Sequence, residues 1–339
     1  MKILLVASNM VHIKNFHTPY INAFKEKGHD VYVMTSTQDA DFEIPFKKSV
    51  FSLKNFFLSF KIRKILKREK FDAIYLHTSL SAFWTRFAMW GMKNKPLVVN
   101  TVHGYLFSKN DKSFKKKLYL FAERLMRRRT DYIFVMNRED YEIATENKLC
   151  QKEVLLINGM GIDSNRIDFT NTKRERNELL SLTYVGEISK RKNQIFLVKA
   201  LARLENARLT LVGDGDCREE LEGLAKKLGV ENRLIITGFT KNVREYLLNT
   251  DIYVSASRIE GLPFNILEAM GASLPIVASD IKGQRDILPS ESLYPLDDED
   301  AFVELVKRTS LEKREYNLEP YIKENILKNN VELYLNLDN

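Results

Sequence analysis

Residues 251–271, DIYVSASRIEGLPFNILEAMG, contain a short apolar strand, a loop and the first turns of a helix. Asp251–Ser255 has the β-branched and aromatic residues that strands favour. Pro263 suits the first turn of the following helix, because the N–H that proline lacks would have no partner there. Strand followed by helix recurs along the chain, and this alternation is typical of parallel sheets with helices on both faces. The sequence therefore predicts an α/β fold.

The strand candidates fall into two successive sets. The first set is Lys2–Ala7, Asp30–Thr35, Asp72–His77, Leu97–Val102, Asp131–Met136 and Val154–Ile157. The second set is Leu182–Gly186, Arg208–Gly213, Arg233–Thr237, Asp251–Ser255 and Pro275–Ser279. Two sets imply two doubly wound domains, which the length of 339 residues also favours. We predict domains over residues 1–165 and 166–320, a polar linker within Asp163–Glu178, and a last helix within 321–339.

Composition and charge narrow the class of protein. No apolar run approaches the ~20 residues that span a bilayer, and we expect no signal peptide before the first strand. Cys150 and Cys217 match no zinc or redox spacing, so we expect free thiols in a reducing cytoplasm. Residues 1–165 hold 28 basic against 16 acidic residues, and the remainder holds 25 against 29. The basic excess lies mainly in Lys47–Lys70 and Lys109–Arg129, which indicates an anionic partner for the first domain.

Two common nucleotide-binding motifs are missing from the sequence. The segment after the first strand, Ser8–Asn15, has no glycine, whereas a dinucleotide fingerprint requires several. Gly213-Asp-Gly215 is not followed by the Gly-Lys-Ser/Thr of a P-loop. The sequence therefore disfavours an NAD-dependent dehydrogenase and a P-loop NTPase.

Ligands of doubly wound sheets bind beyond the carboxyl ends of the strands. After Asp251–Ser255, the N–H groups of Phe264 and Asn265 would lie at a helix N-terminus, where a diphosphate is favoured. Glu260 precedes that helix and Glu268 lies one turn into it, so both carboxylates could reach one ligand. The alternative is that both are ordinary solvated charges, and their spacing does not decide between the two.

Other strand ends carry further candidates. Lys190, Arg191 and Lys192 follow Leu182–Gly186 and could clamp a leaving diphosphate, with Lys192 pointing inward, or form a solvated basic turn. Gly213 and Gly238-Phe239 could shape the same ligand site or only form turns. The histidines at strand ends are His103, His77, His12 and His17. An imidazole at such a position could hydrogen-bond a ligand hydroxyl, and an ordinary core or surface histidine is the alternative.

These residues resemble the retaining family 4 glycosyltransferases over nearly the whole chain. The most specific match is the Glu-x7-Glu pair Glu260 and Glu268, supported by Val212–Gly215, Gly238-Phe239 and Ala272–Ser279. Asn15–Tyr20 and Asn137–Tyr141 resemble the branch that builds capsular, exopolysaccharide and lipid-linked glycans. The resemblance implies a GT-B fold, in which two Rossmann-like doubly wound domains face one another across the active-site cleft. It also implies that the last helix packs back on the first domain.

The resemblance implies a role for each matching residue. Glu260, His103 and Lys192 would be catalytic, with Glu260 and His103 on the donor sugar and Lys192 on the diphosphate, while Glu268 would bind the ribose. The donor site would comprise Gly186, Arg191, Lys192, Gly213, Gly238, Phe239, Glu260, Gly261, Leu262, Pro263, Phe264, Asn265 and Glu268. We expect acceptor contacts from His12, His17 and His77, and no metal ion. Glu187 stands where many members have an arginine, so the family's second phosphate cation is missing.

The sequence thus predicts a retaining hexosyltransferase that moves a sugar from a UDP-sugar to a carbohydrate, lipid-linked acceptor in surface polysaccharide biosynthesis, without a cofactor. We expect a cytoplasmic protein whose basic first domain docks on the anionic inner face of the membrane, and no nucleic-acid partner. In Lys109–Arg129, the spacing of Phe114, Leu118, Phe121 and Leu125 favours a core stripe over membrane insertion. The alternatives are a non-catalytic GT-B binding subunit and a GT-B enzyme of other chemistry, such as a sugar-nucleotide epimerase.

Overall fold

The computed structural model describes residues 1–47, 52–169 and 178–337. The chain forms two units, Met1–Gly161 together with Glu324–Asn339, and Ile162–Lys323. We call these the first and the second domain. The first passage between them lies four residues before the predicted boundary at 165, because Ile162 already pairs with the second domain, where its N–H donates to the Tyr321 carbonyl at 2.8 Å.

A parallel sheet forms the centre of the first domain. Its strands are β1 Lys2–Val6, β2 Asp30–Thr35, β3 Phe42–Glu43, β4 Ala73–Leu76, β5 Leu97–Val102, β6 Tyr132–Val135 and β7 Glu153–Leu156. They lie in the order β3-β2-β1-β4-β5-β6-β7. The helices are α1 Met10–His12, α2 Thr18–Glu26, α3 Leu53–Glu69, α4 Ser79–Ala88, α5 Phe114–Met126 and α6 Arg138–Glu146, and a π-helical turn, Ile13–His17, joins α1 to α2. β4 and β6 are buried along their whole length, as parallel strands covered on both faces should be.

The second domain repeats this architecture. Its strands are β8 Leu180–Val185, β9 Ala207–Val212, β10 Leu234–Ile236, β11 Ile252–Ser255, β12 Ile276–Ser279 and β13 Leu293–Tyr294, in the order β10-β9-β8-β11-β12-β13. The helices are α7 Ser164–Ile167, α8 Gln194–Ala202, α9 Arg218–Lys227, α10 Val243–Leu248, α11 Phe264–Gly271 and α12 Glu299–Arg308. Cys150 in the first domain and Cys217 in the second are free and buried. None of the described helices is both long enough and apolar enough to cross a bilayer.

The last helix, α13 Lys323–Asn336, is part of the first domain. The Tyr334 ring packs 4.4 Å from the ring of Tyr75, measured between centroids. The Asn330 side chain donates to the Gly159 carbonyl at 2.9 Å. A buried aromatic ring and a satisfied buried amide therefore hold the end of the chain against the first sheet.

The first part of the predicted linker belongs to the second domain. Residues 170–177 lie outside the described residues, but helix α7 precedes them and packs against α11, where Ile167 touches Gly271. Residues 163–169 contain no strand, as predicted, but they belong to the second domain, so the predicted linker role was wrong for them. The polar sequence of α7 gave no sign of these tertiary contacts.

Helix α5 turns its predicted core stripe to the surface. Phe114 is 79% exposed, Phe121 is 63% exposed, and Leu125 is also exposed, while Leu118 is half-buried. The prediction of a core-facing stripe was therefore wrong. The residues of α5 that are buried are Leu120, Glu123 and Met126.

A buried ion pair explains this orientation of α5. Arg86 of α4 is fully buried, and its two terminal nitrogens donate to the two carboxylate oxygens of Glu123 at 2.8 and 2.9 Å. Arg86 also donates to the Thr130 hydroxyl at 3.1 Å and to the Ala82 carbonyl at 3.1 Å. A bidentate pair with further hydrogen bonds is the geometry in which two opposite charges can be buried together.

Arg86→Met should destabilise the first domain by about 3–5 kcal/mol, because it leaves the Glu123 carboxylate buried without a counter-ion. Urea unfolding followed by tryptophan fluorescence measures this, since both tryptophans, Trp84 and Trp90, lie in the first domain. Lys14→Met is the control, because it removes only an exposed pair with Asp39 and should cost at most about 1 kcal/mol. Equal losses in the two variants would contradict the structural role of the buried pair.

Candidate active site

The strand order of the second domain reverses between β8 and β11. From β8 the chain continues to β9 and β10 on one side, and it then returns to β11 on the other side. At such a reversal the two loops diverge beyond the carboxyl ends of the strands and leave a crevice. The loop after β8 carries Lys192 and the loop after β11 carries Glu260, so two residues predicted to be catalytic reach the same crevice.

A charge pair joins these two loops. The Lys192 ammonium contacts Oε1 of Glu260, and the Arg191 guanidinium lies 3.4 Å from Oε2. Arg191 also donates to the Ile259 carbonyl at 3.3 Å, and its own carbonyl accepts from the Arg258 N–H at 2.9 Å. Glu260 is only 6% exposed, and a carboxylate so buried requires a cation beside it. Lys192 and Glu260 therefore fix one another in place.

Burial decides between the alternatives that the sequence left open for this turn. The Lys192 side chain is 12% exposed, whereas Lys190 is exposed, so the solvated alternative holds for Lys190 and is wrong for Lys192. Arg191 is exposed, although its guanidinium makes one contact to Glu260. Glu187 is exposed.

Gly186, Gly213 and Gly238 meet at the carboxyl edge of the sheet. Gly213 and Gly238 form an antiparallel bridge, and the Gly186 N–H donates to the Val212 carbonyl at 2.9 Å. A Cβ at Gly213 would lie 2.0 Å from the Gly186 carbonyl oxygen, and φ of Gly213 is +151°, so a side chain does not fit there. Phe239 follows directly and is 82% exposed. This edge therefore keeps backbone close to backbone and leaves one aromatic ring accessible beside it.

Glu268 has a different cation as its partner. It is 3% exposed, and its Oε1 accepts from the Nε of Arg166 at 2.6 Å. Burial raises the pKa of Glu268, while Arg166 acts in the opposite direction. The alternative of a solvated Glu268 was therefore wrong, but its contact with a ribose stays a prediction. Sequence reasoning missed Arg166, which lies 102 residues away in the chain and within the predicted linker.

The start of α11 lies next to the end of β8. Pro263 is the capping residue rather than part of the first turn, and the helix begins at Phe264. The Asn265 side chain donates to the last carbonyl of β8 at 2.8 Å. Leu262 and Phe264 pack partly against the domain core. Leu262 and Phe264, the apolar side chains of the predicted donor set, thus attach the loop to the domain core.

Two further residues that shape this loop were missed. A Cβ at Gly283 would lie 2.4 Å from the Gly261 carbonyl oxygen, so a glycine in the loop after β12 lets the Glu260 loop sit where it does. Arg258 pairs with both carboxylate oxygens of Asp297 at 2.6 and 2.7 Å. Such contacts between loops leave no periodic signal in a sequence.

The first domain gathers four predicted histidines at its own point of reversal, between β1 and β4. His12 and His17 follow β1, His77 follows β4, and His103 follows the neighbouring β5. The ring centroids are 4.7 Å apart for His12 and His103, 5.0 Å for His12 and His17, and 3.7 Å for His17 and His77. We call these four residues the histidine cluster. The sequence singled out each histidine but not their association.

Burial keeps the histidine cluster uncharged at neutral pH. It lowers the pKa of His12 to about 4 and that of His103 to about 3, and it holds the pKa of His17 and His77 well below the ordinary value. Five ring nitrogens of the cluster, including both of His17, lack a hydrogen-bond partner among the described residues. An unpaired buried polar group costs about 1–3 kcal/mol, so this arrangement is typical of a ligand site. The contacts predicted for these histidines with a donor sugar and an acceptor stay predictions.

Comparison with known families identifies the chain. A model described as glycosyl transferases group 1 matches residues 165–336, and a model described as glycosyltransferase family 4 matches residues 20–165. The first match alone covers half of the chain. The chain belongs to the group 1 glycosyl transferases.

Relatives of this glycosyl transferase agree with the assignment. It is 29% identical over 307 residues to EpsD of Bacillus subtilis, which is named as a glycosyltransferase, and the match covers 85% of this chain and 81% of the relative. It is 26% identical over 268 residues to the UDP-Gal:alpha-D-GlcNAc-diphosphoundecaprenol alpha-1,3-galactosyltransferase of Escherichia coli, covering 74% and 69%. The solved structure of the lipopolysaccharide outer core galactosyltransferase WaaB has a TM-score of 0.75 at 19% identity, covering 99% and 100%. The predicted glycosyltransferase family and the two Rossmann-like domains of a GT-B fold are confirmed, and the retaining mechanism stays a prediction.

Gly213→Ala should weaken the second domain of the glycosyl transferase by about 1–3 kcal/mol, because the methyl group meets backbone and the positive φ is strained. Hydrogen exchange of amides in β8 and β9 measures the loss. Gly223→Ala is the matched control, because that glycine lies in the exposed part of α9 with nothing within 4 Å of a new Cβ. It should gain up to about 1 kcal/mol from helix propensity. Unchanged exchange in Gly213→Ala would contradict the close approach of the two strand ends.

Proposed function

We propose that this glycosyl transferase is a retaining enzyme that moves a sugar from a UDP-sugar to a lipid-pyrophosphate-linked carbohydrate in surface polysaccharide biosynthesis. The observation that carries the proposal is the Lys192–Glu260 pair in the crevice of the second domain. It holds a cation and a carboxylate side by side where a doubly wound domain binds its ligand. A nucleotide sugar presents the complementary groups, namely an anionic diphosphate and sugar hydroxyls.

The cations of this crevice offset the charge of the diphosphate, so that step needs no metal ion. An ammonium group has three N–H donors, so Lys192 can hold Glu260 and a phosphate oxygen together. Arg191 adds a second, more accessible cation, and the N-terminus of α11 adds its dipole. Glu268, which Arg166 holds in place, would accept hydrogen bonds from the ribose, and the exposed Phe239 ring would lie against the base.

The proposed chemistry is front-face substitution. The bond between the anomeric carbon and the diphosphate oxygen breaks, and the acceptor oxygen bonds to the same face of that carbon. The proton of the acceptor hydroxyl passes to the leaving diphosphate. Glu260 is held by two cations and is thereby a weak nucleophile, which favours a sugar-positioning role over a covalent intermediate. Stabilisation of the leaving charge by Lys192 would supply much of the rate.

The donor and acceptor classes rest on relatives. The Escherichia coli relative is named for UDP-Gal as donor and for a sugar on diphosphoundecaprenol as acceptor. An acceptor on a polyprenyl pyrophosphate stays in the membrane, so the enzyme would work at the inner, anionic face of the cell membrane. At this location the basic excess of the first domain would be attracted to the anionic lipids.

Lys192→Met should lower kcat/KM about 100- to 1000-fold, because one preorganised cation no longer meets the leaving diphosphate. The assay follows transfer from a panel of UDP-sugars to an undecaprenyl-pyrophosphate-linked sugar, and NMR of the product shows whether the anomeric configuration is kept. Glu260→Gln should show a loss of similar size, with the fold verified by circular dichroism.

Lys190→Met is the matched control for this measurement, since Lys190 belongs to the same turn but is exposed. It should stay within about threefold of the unchanged protein, as exposed charges contribute little. Near-normal turnover in Lys192→Met would contradict the proposed site. A product with inverted anomeric configuration would contradict the retaining mechanism alone.

A surface of the first domain supports peripheral attachment to the membrane. We define the docking surface as the exposed apolar side chains of Leu53, Phe57, Phe60, Trp90, Phe121 and Leu125. A hollow of about 390 Å³ lies among them, and an adjoining hollow of about 450 Å³ shares Trp90 and Leu125. The second hollow is lined by Arg124, Arg127, Arg128 and Arg129. Phe51, an aromatic residue within the basic segment Lys47–Lys70, lies outside the described residues.

The composition of the docking surface fits an anionic lipid leaflet. Exposed apolar rings on a domain surface mark a site of association, and a border of arginines selects an anionic partner. Each cation near an anionic leaflet contributes about 1 kcal/mol to binding, so the four arginines of the second hollow would together bind strongly.

Lys67→Glu combined with Arg128→Glu should lower binding to vesicles of phosphatidylglycerol and phosphatidylcholine at least tenfold in co-sedimentation. Both cations are exposed: Arg128 lines the second hollow, and Lys67 lines a further hollow that shares Arg63 with the first. Lys226→Glu with Lys227→Glu is the control, since it changes the charge equally on exposed positions of the second domain. Phe57→Ser with Phe60→Ser should weaken binding at high salt as well. Binding that depends on neither anionic lipid nor salt would refute the docking role.

A further inference from the structure

We infer that His12, His17 and His103 form a binding site for one divalent transition-metal ion of the zinc class. The inference rests on residues of the first domain alone, whereas the Lys192–Glu260 pair lies within the second domain, so the two sites can be tested separately. It assigns to the histidine cluster a ligand that its buried, unpaired nitrogens can coordinate directly.

The geometry of the three rings is close to that of a metal site. Each ring can present one nitrogen so that the three nitrogens lie within 4.8 Å of one another. On a tetrahedral zinc ion, with Zn–N distances of about 2.0–2.1 Å, nitrogens lie roughly 3.4 Å apart. Small rotations of the side chains would close this difference. Within residues 1–47, 52–169 and 178–337, no other group of histidine, cysteine or carboxylate side chains meets the same criterion.

The backbone of the first loop is arranged to bring two of the ligands together. His12 and His17 are five residues apart, and on an α-helix such a pair would point about 140° away from each other. Here the chain forms a π-helical turn over Ile13–His17, in which the Thr18 N–H donates to the Ile13 carbonyl. A turn with i→i+5 bonds places residues five apart on one side, and the two rings are accordingly 5.0 Å apart.

The donor set selects the kind of ion. Three imidazole nitrogens without a carboxylate suit Zn²⁺, Co²⁺, Ni²⁺ or Cu²⁺ and disfavour Mg²⁺ and Ca²⁺, which require oxygen ligands. The nitrogens His12 Nε2 and His103 Nε2, and both nitrogens of His17, are buried without a hydrogen-bond partner among the described residues. Three protein ligands leave the fourth position of a zinc ion to an oxygen ligand. His77, whose ring lies against His17, is outside the set of three.

The experiment uses the full chain, with any affinity tag removed, after dialysis against a chelator. Zinc titration by calorimetry should show one ion bound per chain, and Mg²⁺ should show none. Co²⁺ should give the visible absorption of a four-coordinate ion with nitrogen ligands. Zinc should also raise the melting temperature, because an ion that binds only the folded state stabilises it. Absence of bound zinc or of the Co²⁺ spectrum in the unchanged protein would overturn the inference without recourse to any variant.

The variants locate the site. His12→Ala and His103→Ala, both at half-buried positions, should each weaken zinc binding at least about 100-fold, because each removes one ligand. His29→Ala, the fifth histidine, is the matched control and should bind as the unchanged protein does. Cys150→Ser with Cys217→Ser should also keep full affinity. Equal loss in His29→Ala, or retention in His12→Ala, would show that zinc binds elsewhere and would overturn the assignment.

Discussion

The need to compensate one buried carboxylate organises the second domain. Glu260 is almost inaccessible to solvent, and such a charge is tolerated only with a cation in contact. Lys192 supplies that cation from the other side of the strand reversal. The ion pair thereby holds the loops after β8 and β11 together. The backbone hydrogen bond from the Arg258 N–H to the Arg191 carbonyl joins the same two loops. An ion pair that stabilises the loops thus also places two functional groups at the ligand crevice.

The same topological rule acts in both domains, with different chemistry. In each sheet the strand order reverses once, and the loops on either side of that reversal carry the polar residues of interest. The second domain places charged groups there, which suits an anionic ligand. The first domain places neutral imidazoles there, which suit hydroxyl groups or a metal ion. A shared architecture therefore leaves the chemistry of each domain to a few loop residues.

Sequence patterns predicted those parts of the structure that depend on local order. Nearly all strands appear where apolar runs predicted them, because a buried parallel strand requires such a run. The edge strands Phe42–Glu43 and Leu293–Tyr294 were missed, since two residues cannot show a period. Glu260 and Lys192 were found as separate candidates, but their contact with one another was not predicted. No sequence pattern indicated that Glu268 pairs with Arg166. Contacts between distant segments depend on tertiary packing, which spacing does not encode.

The orientation of α5 shows how one tertiary contact can override the buried face that local apolar spacing predicts. Apolar spacing placed Phe121 and its neighbours in the core, yet the buried face carries Glu123 instead. Arg86 makes this possible, because a bidentate partner with two further hydrogen bonds of its own removes most of the penalty of burying the carboxylate. Once Glu123 faces inward, the rotation of the helix turns Phe121 outward to solvent. A polar interaction inside the domain therefore determines which apolar surface it presents outside.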